Sequence, residues 1–151
     1  MTDQMTDKLP DIQCAFRANT KIALVLRDEL ATWQKLNLTA FLASGIAASA
    51  PESIGADYAD ADGTRYTPMF GQPVMVFAAD TARLTRTLNR ALSRGVVPAI
   101  FTAELFTTGH DAANRSSVAA TARDSLDLVG IAVRADSKIV DKITDGLRLH
   151  P

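Results

Sequence analysis

The hydrophobic pattern of residues 21–48 predicts a buried strand that runs into a buried helix. Lys21 to Arg27 is a short apolar run bounded by charged residues, which is typical of a strand covered on both faces. After the acidic turn Asp28-Glu29, apolar residues recur with helical spacing as far as Ala48 and occupy almost the whole circumference. We therefore expect a central strand and a helix that is buried on more than one side.

Three further apolar runs have the length of strands, and together with the first they are expected at residues 21–27, 74–79, 97–102 and 127–134. Pro98 removes a backbone donor from the third run, which favours an edge position or a bulge. The pair Asp62-Gly63 between Tyr58 and Tyr66 predicts a hairpin turn.

Helices are expected between these strands. The second helix is predicted from an N-cap at Asp80 to a stop at Gly95, and the last one from Asp136 or Ser137 to Arg148. A regular alternation of strands and helices predicts an α/β fold, here a three-layer α/β/α sandwich with helices on both faces of the sheet. We expect one domain over residues 20–151, preceded at 1–19 by a tail or an ordered arm, and the pattern leaves these two alternatives open.

The amino-acid composition of the chain excludes several classes of protein. A chain of 151 residues with a net charge of -1 is not a generally basic nucleic-acid-binding domain. No apolar run reaches the roughly 20 residues of a membrane helix, and the acidic amino terminus resembles no targeting signal, so we expect a cytoplasmic protein with no membrane partner. The single cysteine, Cys14, excludes an internal disulfide and a multi-cysteine metal site.

One helix carries a local basic stripe. Four arginines of the second helix follow helical spacing opposite a leucine-rich face: Arg83, Arg86, Arg90 and Arg94. Such a stripe is either a solvated surface or a contact for a small anionic ligand or RNA, because arginines along one line match successive phosphates.

Several segments carry a resemblance to a known fold. The strand KIALVLR, the helix LNLTAFLASGIAA and the ending LVGIAVRADSKIVDKITDGLRL resemble the layout of peptidyl-tRNA hydrolase II over residues 21–149. The segments WQKLNLTAFLASGI and LFTTGHDAANR resemble more closely a mostly bacterial family grouped with that fold, domain of unknown function 2000. The resemblance implies a mixed four-stranded sheet, with residues 128–133 antiparallel to the first strand, and a homodimer.

The catalytic positions of peptidyl-tRNA hydrolase II are changed in this chain. By the resemblance, its lysine falls at Asn37, its glutamine at Phe41 and its histidine at Ser44, while its aspartate and threonine fall near Thr102 and Phe106. An amide and a phenyl ring cannot replace a general base and a cation. We therefore do not expect ordinary hydrolysis of peptidyl-tRNA.

A different set of polar residues follows the strands in the places that correspond to the active site of peptidyl-tRNA hydrolase II. Because ligands of α/β proteins bind beyond the carboxyl ends of parallel strands, we expect these side chains to share one crevice. The candidate pocket comprises Arg27, Glu29, Trp33, Asn37, Thr102, Glu104, Thr107, His110, Asp111, Asn114 and Arg115.

Each candidate also has a structural interpretation. Thr108 and Asp111 have the spacing of a helix capping box, Arg27 and Glu29 that of an ion pair, and Trp33 is either a core anchor or a stacking platform. The pair His110-Asp111 resembles half a metal site, but the only other histidine is His150, so we expect no metal and no cofactor.

Two functional hypotheses follow. The first is a ligand-binding or interaction module that uses the hydrolase II scaffold without its catalytic residues. The second is a hydrolase with altered chemistry, which acts on peptidyl-tRNA or a related small substrate through His110, Asp111 or Glu29. The sequence alone leaves the substrate open.

Overall fold

A computed structural model describes residues 19–151 of the chain. The expected tail or arm and Cys14 lie outside this range. The strands of the described part are β1 (Thr20–Arg27), β2 (Tyr58–Ala59), β3 (Arg65–Tyr66), β4 (Val74–Ala79), β5 (Ala99–Thr102), β6 (Leu128–Asp136) and β7 (Arg148–Leu149).

Four α-helices accompany these strands in residues 19–151: α1 (Thr32–Ser49), α2 (Thr81–Ser93), α3 (Asp111–Ala119) and α4 (Ser137–Ile143). Single turns of 3₁₀-helix occur at Pro51–Ser53, Ala103–Phe106 and Arg123–Ser125. The Asp80 carboxylate caps α2 by accepting from the amide of Arg83 at 2.8 Å, as the sequence predicts. Gly95, with φ of 71°, ends the same helix.

Five strands form one mixed sheet in the order β5-β6-β1-β4-β7. Strand β1 pairs in parallel with β4 and antiparallel with β6, so the four expected strands share one sheet and the expected direction of β6 is confirmed. Strand β5 lies at an edge directly after Pro98, which agrees with the expected effect of this proline.

The fifth strand corrects the expected four-stranded sheet. Helix α4 ends at Ile143 and does not continue to Arg148. Gly146, with φ of 80°, allows the chain to turn back, and β7 then pairs antiparallel with the end of β4. A two-residue strand has no periodicity of its own, which is why the pattern did not reveal it.

The two faces of the sheet bury different helices. Alternate β1 residues such as Leu24 pack with Leu38 and Leu42 of α1, while their neighbours such as Val25 pack with α2 and α4. Strand β6 approaches α1 closely, since a Cβ atom built on Gly130 would lie 2.6 Å from a terminal methyl of Leu38. Helix α1 is thus fixed on the sheet by its Leu38, Leu42 and Ile46 side.

The opposite side of α1 is open to solvent, so the expectation that this helix is buried on more than one side is wrong for the single chain. Trp33, Leu36 and Phe41 are 60%, 68% and 54% exposed. Trp33 is therefore not a core anchor. Helix α1 thus has two apolar sides: one packs on the sheet, and the other is exposed to solvent in the single chain.

The expected hairpin forms between β2 and β3, with Gly63 in the turn at φ of 80°. The Asp60 carboxylate organises it by accepting from the Tyr66 hydroxyl at 2.8 Å and from the amides of Asp62 and Thr64, each at 2.9 Å. These donors, the Tyr66 hydroxyl first, hold the pKa of Asp60 below its ordinary value.

Removing the Tyr66 hydroxyl should raise the pKa of Asp60. The depressed pKa means that the carboxylate stabilises the hairpin above the ordinary pKa, and that this contribution is lost as the pH falls through the folded value. We expect Tyr66→Phe to move the titration of the Asp60 carboxyl carbon, followed by NMR, to higher pH. Tyr58→Phe, in the same hairpin, should leave it unchanged; equal titrations in both variants would contradict the assignment.

None of the helices in residues 19–151 combines the length and the hydropathy needed to cross a membrane.

Candidate functional site

Arg27, at the carboxyl end of β1, is held by the start of β6. Its Nη2 donates to Asp127 Oδ1 at 2.5 Å and to the carbonyl oxygen of Leu128 at 2.7 Å. The expected ion pair between Arg27 and Glu29 is therefore replaced by one with Asp127, because β6 lies directly beside β1 while Glu29 is exposed in the turn.

Thr102, at the carboxyl end of β5, flanks the same start of β6, where it is in register with Leu128. Thr102 is 2% exposed, and neither its Oγ1 nor the Nε of Arg27 has a hydrogen-bond partner among residues 19–151. An unpaired buried polar atom typically costs about 1–3 kcal/mol. Both atoms lie beside the start of β6 and are buried from solvent.

The residues around the start of α3 bond mainly to each other. His110 is the N-cap, and its Nδ1 accepts from the amide of Ala113 at 3.2 Å. The expected capping box from Thr108 to Asp111 is therefore wrong. The Thr108 hydroxyl instead contacts Asn114 Oδ1, and the Asp111 carboxylate pairs with Arg115 one turn further on.

The helix begins three residues after Thr108, at Asp111 itself, so the carboxylate stands at the first helical position and cannot return to the amide of Thr108. Glu104 is exposed, and its carbonyl oxygen accepts from the Thr107 hydroxyl at 2.9 Å. These local bonds fix the backbone of residues 103–115.

A groove of about 560 Å³ lies between α1 and α3, and we call it the α1–α3 groove. Its walls are mainly apolar, and include Phe41, Phe101 and Val118, while three of the candidate residues, Asp111, Asn114 and Arg115, line it as polar groups. This volume lies within the range of small-molecule sites. The other candidate residues do not line this groove.

A row of aromatic rings continues from this groove towards the start of α1. Phe41 and Phe101 have ring centroids 5.6 Å apart, Phe101 and Phe106 4.9 Å, and Phe106 and Trp33 5.6 Å with a T-shaped geometry. Offset and edge-to-face contacts at these distances are favourable. Trp33 and Phe41 form the exposed ends of the row, whereas Phe101 is buried.

A second groove, of about 600 Å³, lies at the carboxyl ends of the parallel strands β1 and β4. It is lined by Asp28, Arg83 and Arg148, among others. Arg83 already pairs with Asp80, and another arginine of the stripe, Arg90, donates to the carbonyl oxygen of Asp145 at 2.9 Å. Contact of the stripe with an anion or RNA stays a prediction.

The comparisons with known proteins place this architecture in a family. The model of a family described as protein of unknown function (DUF2000) matches residues 20–151. The chain belongs to this family. The chain is similar to the solved structure of a protein of unknown function from Agrobacterium tumefaciens strain C58, with 50% sequence identity and a TM-score of 0.86. The alignment covers 88% of this chain and 98% of the Agrobacterium chain.

No curated protein matches the chain. The family match confirms the resemblance carried by WQKLNLTAFLASGI and LFTTGHDAANR. Neither the family description nor the Agrobacterium structure names a substrate, and a shared fold does not by itself define a function.

Two residues of this DUF2000 chain that sequence reasoning missed lie in contact. Lys35 Nζ is 3.0 Å from His150 Nε2, across a separation of 115 residues. No local motif links residues so far apart, and β7, which brings His150 to α1, was itself missed. Within residues 19–151, no group of three or more histidine, cysteine or acidic side chains is placed to hold a metal ion.

The N-cap role of His110 predicts a small loss of stability on its removal. We expect His110→Ala to lower the free energy of unfolding by about 1 kcal/mol, the usual size of a lost cap, and His110→Asp to restore most of it. Chemical denaturation measures both. A loss well above this size would show that His110 has a further role in holding residues 103–115.

Proposed function

We propose that this DUF2000 protein is an interaction module that binds a second copy of itself through the exposed side of α1, on a peptidyl-tRNA hydrolase II-like scaffold without that family's catalytic residues. The observation that carries the proposal is the uncovered apolar surface of Trp33, Leu36 and Phe41. Exposed apolar patches rimmed by polar residues mark interaction sites.

The charge of α1 supports an interface. Of its 18 residues only Lys35 is ionisable, and Lys35 is turned towards His150 on the flank of the helix. The outward residues between Trp33 and Ala48 are therefore neutral. Interface centres are depleted in charged residues and enriched in aromatic ones, which matches this composition.

The order of residue sizes along α1 favours a second copy as the occupant. The large exposed residues lie mainly in the first half of the helix, whereas Ala40, Ser44 and Ala48 form a line of small exposed residues at a spacing of four through the second half. In a twofold pair of antiparallel helices, the bulky half of each copy faces the small half of the other. The surface is thus complementary to itself.

A stable interface needs more surface area than the exposed side of α1 provides, so it must extend beyond this helix. Trp33 and Phe41 together expose roughly 200 Å² of side chain, whereas a stable interface buries about 800 Å² per partner. The remaining area is available beside the helix, where Gly45 approaches Ala99 so closely that an added Cβ would lie 2.9 Å from the alanine Cβ. Val97, just before β5, is 89% exposed. We propose that the contact runs from α1 across this edge.

Sedimentation equilibrium at micromolar concentrations tests the proposal. We expect a mass near twice the 16.2 kDa of the chain, falling towards a single copy on dilution. A mass of 16.2 kDa at every concentration up to the millimolar range would contradict the proposal.

The α1–α3 groove favours a second candidate, a hydrolase of altered chemistry, because Asp111 lines it as an acidic group. Ordinary peptidyl-tRNA hydrolysis is still not expected, because Asn37, Phe41 and Ser44 supply neither the base nor the cation. Loss of a general base costs about 100- to 10,000-fold, and loss of an oxyanion donor about 100- to 1,000-fold.

We expect the protein to release tRNA from labelled peptidyl-tRNA at the background rate, and Asn37→Lys to leave this rate unchanged, since one ammonium cannot replace the whole set. An authentic hydrolase assayed in parallel provides the positive control. If the wild-type protein released tRNA at a rate comparable to that of the authentic hydrolase, the hydrolase would be favoured over the interaction module.

A further inference from the structure

A third groove, of about 460 Å³, lies on the flank of α1 that faces β4 and residues 148–151, and we call it the Lys35 groove. The side chains of Leu26, Leu36 and Val76 give it apolar walls. Its polar groups are two threonine hydroxyls, from Thr32 and Thr39, and the pair formed by Lys35 and His150, and Pro151 lines it beside His150.

Residues 148–151 hold His150 in place beside the groove. The amide of His150 donates to the carbonyl oxygen of Val76 at 2.8 Å, which continues the pairing of β7 with β4. The imidazole Nδ1 lies 2.9 Å from the oxygen of Pro151. That oxygen only accepts, so Nδ1 carries the proton and Nε2 is the free acceptor.

This tautomer makes Lys35 the donor in its contact with Nε2. An ammonium has three N–H groups, and the imidazole takes one of them. No carboxylate of residues 19–151 forms an ion pair with Lys35, and no acidic side chain lines the groove. His150 therefore positions a lysine that forms no ion pair with an acidic side chain of residues 19–151, while the nearby Pro151 oxygen bonds to the imidazole.

We propose that the Lys35 groove binds a small monocarboxylate with an apolar body. Lys35 Nζ donates to the carboxylate, and the walls formed by Leu26, Leu36 and Val76 cover the apolar part of the ligand. The Thr32 hydroxyl supplies a further donor at the same groove. Hydrogen bonds to charged groups contribute more than neutral ones, which gives the ammonium the main part in recognising the anion.

The composition of the groove selects this class of ligand over other anions. A phosphate dianion calls for several cations or a fork of donors, whereas here a single ammonium stands among apolar walls. A metal cation is disfavoured by the same positive charge. An uncharged apolar molecule would leave the remaining N–H groups of Lys35 without an acceptor once water is displaced.

Titration with hexanoate, followed by NMR of the full chain, tests the proposal. We expect saturable shifts at Lys35 and Thr39. Lys35→Met, which keeps the length of the side chain and removes the charge, should weaken binding at least about tenfold. The matched control Lys142→Met, at an exposed lysine of α4, should bind hexanoate as the wild type does.

Two further probes separate the parts of the proposal. Hexanamide lacks the charge and acetate lacks the apolar body, so each should bind at least about tenfold more weakly than hexanoate. The proposal is overturned if hexanoate gives no saturable shift, if hexanamide or acetate binds equally well, or if Lys35→Met retains full affinity. Leu36 lines this groove and also belongs to the proposed contact surface, so the titration is repeated with Ala40→Glu, a substitution on that surface outside the groove that should keep the copies apart. Hexanoate binding that persists in Ala40→Glu tests the groove separately from the association of two copies.

Discussion

Ala40→Glu will separate the two copies of the protein and weaken their association at least about 100-fold, or about 2.8 kcal/mol. Ala40 lies midway along α1 and is exposed in the single chain, and glutamate is a good helix former, so the fold itself should be unaffected. In the antiparallel pair, each copy would place a carboxylate at the centre of an apolar contact. This carboxylate would have no cationic partner there and would face the same carboxylate of the other copy.

The control for this variant is Ala82→Glu, which adds the same charge at an exposed alanine of α2, away from the proposed interface. Its mass in sedimentation equilibrium should equal that of the wild type. If Ala40→Glu associates as strongly as Ala82→Glu, the exposed side of α1 is not the contact surface.

Leu38→Ala will lower the free energy of unfolding by about 3–5 kcal/mol, the range for a large-to-small change in a rigid core. Leu38 is fully buried, and its terminal methyl occupies the space opened by Gly130, where a side chain would collide with it. Neighbouring β6 backbone is part of the sheet and cannot collapse into the cavity. Most of the free-energy cost of leaving an empty cavity should therefore remain.

The same change two residues earlier gives the matched control. Leu36→Ala, measured in the Ala40→Glu background so that association does not contribute, should cost less than about 0.5 kcal/mol because Leu36 is mostly exposed. Denaturant unfolding of both variants measures the difference. Similar losses for the two leucines would contradict the orientation of α1 on the sheet.

The sequence was sufficient to predict the central strand and its neighbours. Residues 21–27 are apolar on both faces, which only a strand between two helical layers requires, and β1 does lie between β6 and β4 with helices on either side. Asp80 and Gly95 likewise marked the ends of α2, because each has a local physical role that does not depend on distant residues.

Features that depend on contacts between distant residues were not predictable in this way. Hydrophobic periodicity identifies Trp33 and Leu36 as apolar, but it does not distinguish the core of one chain from a surface that another molecule can cover. The pairing of Lys35 with His150 depends on a turn at Gly146 and on two residues of β7. At the start of α3, the first helical turn begins at Asp111, so His110 and not Thr108 is the N-cap.

Acrylamide quenching of tryptophan fluorescence tests the central claim most directly, because Trp33 is the only tryptophan and lies on the proposed contact surface. We predict that the quenching constant falls and the emission shifts to the blue as wild-type protein is concentrated, while Ala40→Glu stays strongly quenched throughout. Equally strong quenching of the wild type and the variant at every concentration would show that no second copy covers Trp33.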